Sequence, residues 1–186
     1  MKQLDIRDVG SKNAGTLNTY SQLGPWWALL VFVFDAGKGA LAVLLPSWIG
    51  VADWAVYVTG VLVIVGHNWT VLMKFRGGKG AASLMGICLA TVPVAGMLAV
   101  IPGVILLYFS KNAIAGLVLG FATLNILVLA AWILGVDWLV ASPGWEQFVL
   151  CLPLTLFVAA VYGITIRDQL LRAIRQRSLR HAFYGP

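Results

Sequence analysis

The chain has 186 residues, 60% of them hydrophobic and 11% charged, with a formal net charge of +6 and a mean hydropathy of +0.89. Soluble domains carry about 25% charged residues, so this composition excludes an ordinary soluble fold. It predicts an all-α, polytopic membrane helix bundle, one integral membrane domain over residues 1–186. The basic residues lie close to apolar runs, which fits membrane lipids with anionic head groups and argues against nucleic acid as a partner.

Residues 1–24 are polar and glycine-containing, and too polar to span a bilayer. They lack a charged, then apolar, leader with a small-residue cleavage site, so no secretory signal is expected. The stretch Asp5 to Asn18 reads DIRDVGSKNAGTLN. Its glycines, Gly10 and Gly15, allow tight turns. Ser11, Asn13 and Asn18 bring short polar side chains of the kind that cap helices and close turns.

A first span is expected over Pro25 to Pro46. Inside it stands Asp35-Ala-Gly-Lys38-Gly39. Ionisable residues within a span are costly and mark functional sites. Asp35 and Lys38, three apart, share a helix face. They suit a structural ion pair facing the bundle, and equally a lysine that contacts an anion while the aspartate holds it in place.

A second span is expected over Val51 to Val65. It runs into Gly66 to Ser83, GHNWTVLMKFRGGKGAAS, which places His67, Asn68, Lys74, Arg76, Lys79 and four glycines between two apolar runs. Gly77, Gly78, Lys79 and Gly80 precede a helix. Exposed backbone N–H groups and a helix N-terminus at that point favour an anion. This is not a Walker A loop, because the upstream glycine spacing and the following Ser or Thr are missing. His67 suits either a hydrogen-bonding structural role at a helix end or a proton acceptor.

The next run, Ala81 to Phe109, is too long for one ordinary span and contains Pro93 and Pro102. Proline breaks or kinks helices, so two short spans turning near Pro93 are expected. Ala113 to Leu134 and Phe148 to Ile166 complete about six spans. With six, both termini, the glycine-rich loop, Lys111 and the basic tail 167–186 face the cytoplasm, and only Asp53, Asp137 and Glu146 face the other side. That satisfies the positive-inside rule far better than five spans do. Cys88 and Cys151 fall within apolar runs and read as small buried hydrophobes.

Three motifs, in this order, resemble the PlsY family of membrane acyl-phosphate:glycerol-3-phosphate acyltransferases. Gly10-Ser11-x-Asn13-x-Gly15-x-x-Asn18 is similar to the family's GSGNxGATN, Asp35-x-x-Lys38-Gly39 to its DxxKG, and Gly66-His67-Asn68 through Phe75-Arg76-Gly77-Gly78-Lys79-Gly80 to its GHNxxxxxxFKGGKG. The chain departs from the pattern at Lys12, at Thr16-Leu17 and at Ser21, where an arginine is expected. The family's Thr-Arg-x-x-Ser stretch is matched only by Ser110-Lys111, and its C-terminal polar motif by no recognisable counterpart. The resemblance also implies a span upstream of the first motif.

The resemblance implies acyl transfer from acyl phosphate to glycerol 3-phosphate, giving lysophosphatidic acid in phospholipid synthesis at a bacterial plasma membrane. No cofactor or metal is expected. By the same resemblance Ser11, Lys38, His67 and Asn68 are the expected catalytic residues. Asn13, Gly15, Asn18, Asp35, Lys74, Arg76, Gly77, Gly78, Lys79 and Gly80 are the expected substrate-binding ones. The departures leave a catalytically degenerate relative as one alternative. The intramembrane Asp35 and Lys38 leave a small membrane transporter as another.

Overall fold

The computed structural model describes residues 5–140 and 145–175, and the described residues form seven α-helices and two 3-10 turns with no strand. The helices are α1 (Thr16–Leu23), α2 (Pro25–Trp48), α3 (Asp53–Asn68), α4 (Ala81–Thr91), α5 (Pro93–Ser110), α6 (Ala113–Leu134) and α7 (Trp145–Arg175). Their ends follow local chemistry. Pro25 and Pro93 occupy the first turns of α2 and α5, where a missing N–H costs nothing. Asn112 caps α6 by accepting from the N–H groups of Ile114 and Ala115 at 3.1 Å, and Gly135 ends it in the left-handed region.

Four stretches are long and apolar enough to cross a bilayer: Pro25–Trp48, Asp53–Met73, Pro93–Ser110 and Ala113–Leu134. Two more apolar helical segments, Ala81–Thr91 and Val149–Ile164, are shorter. Of the about six spans expected, those over α2, α3, α5 and α6 coincide with helices of crossing length, and α4 and the apolar part of α7 are shorter. The long run from Ala81 divides at Val92, as its prolines require. Gly96 comes up against the Cys88 carbonyl eight residues earlier, an approach that a continuous helix would not allow. Large apolar side chains such as Trp26, Phe34 and Phe109 stand exposed on the helices, as lipid-facing surfaces do.

The chain clusters into two compact units, 1–87 and 88–186. In the first, α1 and α3 pack on α2, and α2 meets the start of α4 with no space to spare. A Cβ at Gly39 would overlap the Ser83 carbonyl, and one at Gly86 would overlap the Ala36 carbonyl. Two small-residue steps, Ala36 to Gly39 and Ser83 to Gly86, thus bring the backbones together, as close helix crossings in membranes require. In the second unit α5 and α6 cross in the same manner through Gly103, Gly116 and Gly120. Asn125 of α6 donates to the Thr155 hydroxyl of α7 at 3.0 Å. Cys88 and Cys151 are buried free thiols, as expected. His181 and the arginines beyond Arg175 lie outside the described residues.

Candidate functional site

Three short segments of the first unit build the site. The first is the turn before α1. The Asn18 side chain, buried in α1, organises it. Its Oδ1 accepts from the Ser11 N–H at 2.9 Å, and its Nδ2 donates to the carbonyls of Ile6, Val9 and Asn13 at 2.8, 3.1 and 2.9 Å. Gly10 is left-handed and lies so close to Asn18 that any Cβ would overlap Oδ1. This amide is spent on shaping the turn. Ser11 is left at the surface and Asn13 half-buried beside Gly15, and Gly15 opens α1.

The second segment is the middle of α2. The Lys38 ammonium donates to Asp35 Oδ1 at 2.6 Å and approaches His67 Nδ1, at the end of α3, at 2.6 Å. The same carboxylate oxygen lies 3.3 Å from Nδ1. A lysine ammonium has donors only, so Nδ1 must be the acceptor, and the ring proton of a neutral imidazole then resides on Nε2. A charged lysine at this distance therefore leaves His67 as an Nε2–H donor. The His67 side chain is 8% exposed and that of Asp35 12%, whereas that of Lys38 is 40% exposed, so the ring and the carboxylate are shielded while the lysine reaches the surface.

The third is the glycine-rich loop. After the 3-10 turn Val71–Met73, Lys74 and Phe75 both adopt left-handed backbone (φ 54° and 60°). This reverses the chain onto the end of α3. Gly77 N–H donates to the Asn68 carbonyl at 3.1 Å, and Gly78 N–H to the His67 carbonyl at 3.2 Å. A Cβ on Gly77 would overlap the His67 carbonyl, and one on Gly78 would overlap His67 Nε2. The glycines are needed for contact with α3. The expected anion cradle of exposed N–H groups is corrected accordingly, because those of Gly77 and Gly78 are engaged with carbonyls. The first-turn N–H groups of α4 lack intrahelical acceptors and are the backbone donors this stretch can still offer an anion. Gly80, buried with φ 81°, delivers the chain into that helix.

Lys79 precedes this helix start and is partly buried. Burial lowers its pKa from the usual 10.5, because a low-dielectric environment disfavours the ammonium. Asn68 is 5% exposed, and among the described residues neither of its amide atoms finds a partner; the fully buried Ser83 hydroxyl is in the same position. Lys74 is exposed at the tip of the loop.

Arg76 is turned to another task. Its Nη2 donates to the Arg7 carbonyl at 3.0 Å and to Asp8 Oδ1 at 3.2 Å. Arg7 Nη1 in turn donates to the Met73 carbonyl at 2.8 Å, and its guanidinium embraces the Asp5 carboxylate. Hydrogen bonds from Arg7 hold the Asp5 carboxyl well below the usual carboxylate range. This clamp joins the first motif to the glycine-rich loop, and Asp5, Arg7 and Asp8 were not singled out in the sequence. The one local signal for them is the alternation of charge in Asp5-Ile-Arg7-Asp8. Among the described residues, the site thus unites Asp35, Lys38, His67 and Gly78 directly. The Ser110-Lys111 stretch forms the turn between α5 and α6, with the Lys111 ammonium 4.4 Å over the Tyr108 ring.

The family model for glycerol-3-phosphate acyltransferase matches residues 1–176. Glycerol-3-phosphate acyltransferase 4 of Dehalococcoides mccartyi is 40% identical over 124 residues, which cover 67% of this chain and 53% of that protein. Glycerol-3-phosphate acyltransferase 1 of Deinococcus radiodurans is 36% identical over 159 residues, covering 85% and 73%. The chain spans about half the length of the first curated relatives it matches. Among solved structures, the glycerol 3-phosphate form of PlsY (YgiH), an integral membrane glycerol 3-phosphate acyltransferase, superposes with a TM-score of 0.76 at 22% identity. That match covers 96% of this chain and 83% of the other, and shows a shared fold.

Proposed function

Because the chain belongs to the glycerol-3-phosphate acyltransferase family, we propose that it transfers an acyl group from acyl phosphate to glycerol 3-phosphate at the cytoplasmic leaflet of a bacterial plasma membrane. The hydroxyl oxygen of glycerol 3-phosphate attacks the acyl carbon, and the bond from that carbon to the phosphate oxygen breaks. The products are lysophosphatidic acid and inorganic phosphate, and the departing phosphate takes the hydroxyl proton. Acyl phosphate carries a good leaving group, so positioning and electrostatics supply most of what catalysis needs.

The observation that carries this reading is the contact of the Asp35–Lys38–His67 cluster with Gly78, one residue before Lys79. Lys79 and the first turn of α4 hold a phosphate. Lys38, aimed by Asp35, and the Nε2–H of His67 orient the reacting groups. The buried Asn68 amide supplies polar contacts to the same site. Ser11, Asn13 and Gly15 contribute from the first motif, which Asn18 shapes and Arg76 ties to the loop. Lys74 attracts anionic substrate to the loop tip. Six crossings place both termini and this loop on the cytoplasmic side.

The purified full chain in liposomes, given palmitoyl phosphate and glycerol 3-phosphate, is expected to form lysophosphatidic acid. No product from folded protein, beside a relative that turns over under the same conditions, would overturn the proposal. Retained binding of glycerol 3-phosphate would then identify a degenerate relative, as the exposed Ser21 in place of an expected arginine suggests.

A further inference from the structure

The turn between α3 and the glycine-rich loop carries four apolar side chains on its outer side. Val71 is 73% exposed, Leu72 96%, Met73 41% and Phe75 62%. Such a cluster on a loop tip calls for a covering surface. Its backbone is already prepared for one without water. The N–H of Met73 donates to the Thr70 carbonyl, that of Lys74 to Val71, that of Phe75 to Thr70 and that of Arg76 to Met73, at 2.9–3.2 Å. The Met73 carbonyl also receives the Arg7 guanidinium. With the donors of Met73 through Arg76 satisfied internally, the tip keeps few unpaired backbone groups to set against a hydrocarbon boundary.

Its position and charge select the occupant. The candidate span that begins at Asp53 runs through Met73, so the tip lies at the end of a span. Trp69, half exposed, stands at its base, a residue that favours the membrane–water interface. Lys74 and Arg76 flank the apolar side chains, as cations that meet anionic head groups do, with Asp8 opposing through its contact to Arg76.

We propose that Val71 to Phe75 is an interfacial anchor that dips into the head-group and acyl boundary of an anionic leaflet, about 5–10 Å deep as interfacial apolar segments do. The anchor fixes the height of the glycine-rich loop against the leaflet. The apolar side chains of this surface take no part in the proposed acyl transfer, in which only Lys74 of this segment has a role.

The test places one cysteine at Leu72, and in a second variant at Val71, for an environment-sensitive fluorophore. Native Cys88 and Cys151 are buried and stay unlabelled in the folded chain. The full-length protein is reconstituted in vesicles of phosphatidylcholine and phosphatidylglycerol. Both labels are expected to emit to the blue of the free dye in buffer, to be quenched by lipids spin-labelled near the carbonyl region and to resist aqueous iodide. Quenching by iodide with no effect of the spin-labelled lipid would overturn the proposal. Protection from both quenchers would overturn it equally, by showing that protein, a second copy or another segment, covers the tip.

Discussion

At the residue scale, two side chains set the properties of the site: His67, pinned by Lys38, and Lys79, partly buried at the head of α4. The absent side chain of Gly78 lets the loop reach the first of them. A methyl group there would occupy the space of Nε2. Overpacking of this kind costs about 1–3 kcal/mol. By displacing the imidazole it should also lower kcat/KM of Gly78→Ala roughly tenfold or more, a larger effect than the fall of a few degrees expected in the thermal midpoint accounts for. An unchanged kcat/KM would remove His67 from the site. Lys79 sets the response to pH. Burial lowers its pKa from 10.5, so the free folded chain binds fewer protons than the unfolded one in the interval below that value, and its stability rises with pH there. The proposed phosphate binding would need the ammonium and act oppositely. Affinity for glycerol 3-phosphate should fall as pH climbs through the lowered pKa, at a lower pH than an ordinary lysine dictates. The ligand is already a dianion in this range, its second pKa being near 6. Calorimetric titrations from pH 7 upward would read this, and a flat profile in wild type that matches Lys79→Met would refute it. The pairing of Asp35 with Lys38 was legible from their three-residue spacing. Their engagement with His67, 29 positions further on, was not, because no local pattern encodes which distant ring a lysine will meet.

At the element scale, the approach of α2 to α4 positions these groups, and it rests on two glycines of the same helix that behave differently. Gly39 lies against the Ser83 backbone, whereas Gly37 has nothing within 4 Å. Gly39→Ala should therefore destabilise by about 1–3 kcal/mol through overpacking. Gly37→Ala should be neutral or stabilise by up to about 1 kcal/mol, because alanine is the better helix former. Thermal unfolding in detergent separates the two, and equal midpoints would show that the crossing yields. The helix break before Pro93 was legible from proline chemistry. The route of the glycine-rich loop was not. Its reversal depends on Lys74 and Phe75 in left-handed conformation, which non-glycine residues adopt rarely, so nothing in their identity announces it. That reversal engages the N–H groups of Gly77 and Gly78, which the sequence had suggested as free donors. It also places Arg76 on Asp8 and the Arg7 carbonyl, an attachment across more than sixty residues that alternating charge alone does not specify.

At the scale of the whole molecule, charge placement organises the chain across the membrane. The proposed six-crossing arrangement would put Lys12 and Lys111, both exposed, on the cytoplasmic side. Cysteines at these two positions should react with an impermeant thiol reagent from the same face of oriented vesicles, and labelling from opposite faces would require an odd number of crossings between them. The apolar runs made the long helices readable, and the placement of the positive charges is what the proposed orientation rests on. The division into two compact units had no counterpart in composition, since the boundary falls within an uninterrupted apolar helix. One consequence follows from the Asp35–Lys38–His67 cluster. Where the Lys38 ammonium donates to Nδ1 of a neutral ring and pairs with the Asp35 carboxylate, the charges sum to zero, so in the proposed reaction the cluster would align ligands without drawing them in. Attraction is left to the solvated cations at the loop, whose fields fade as the Debye length shrinks from about 10 Å at 0.1 M salt to about 3 Å at 1 M. Rising ionic strength should accordingly raise KM for glycerol 3-phosphate and leave kcat almost unchanged, so that capture and alignment, performed by neighbouring residues, part company in brine.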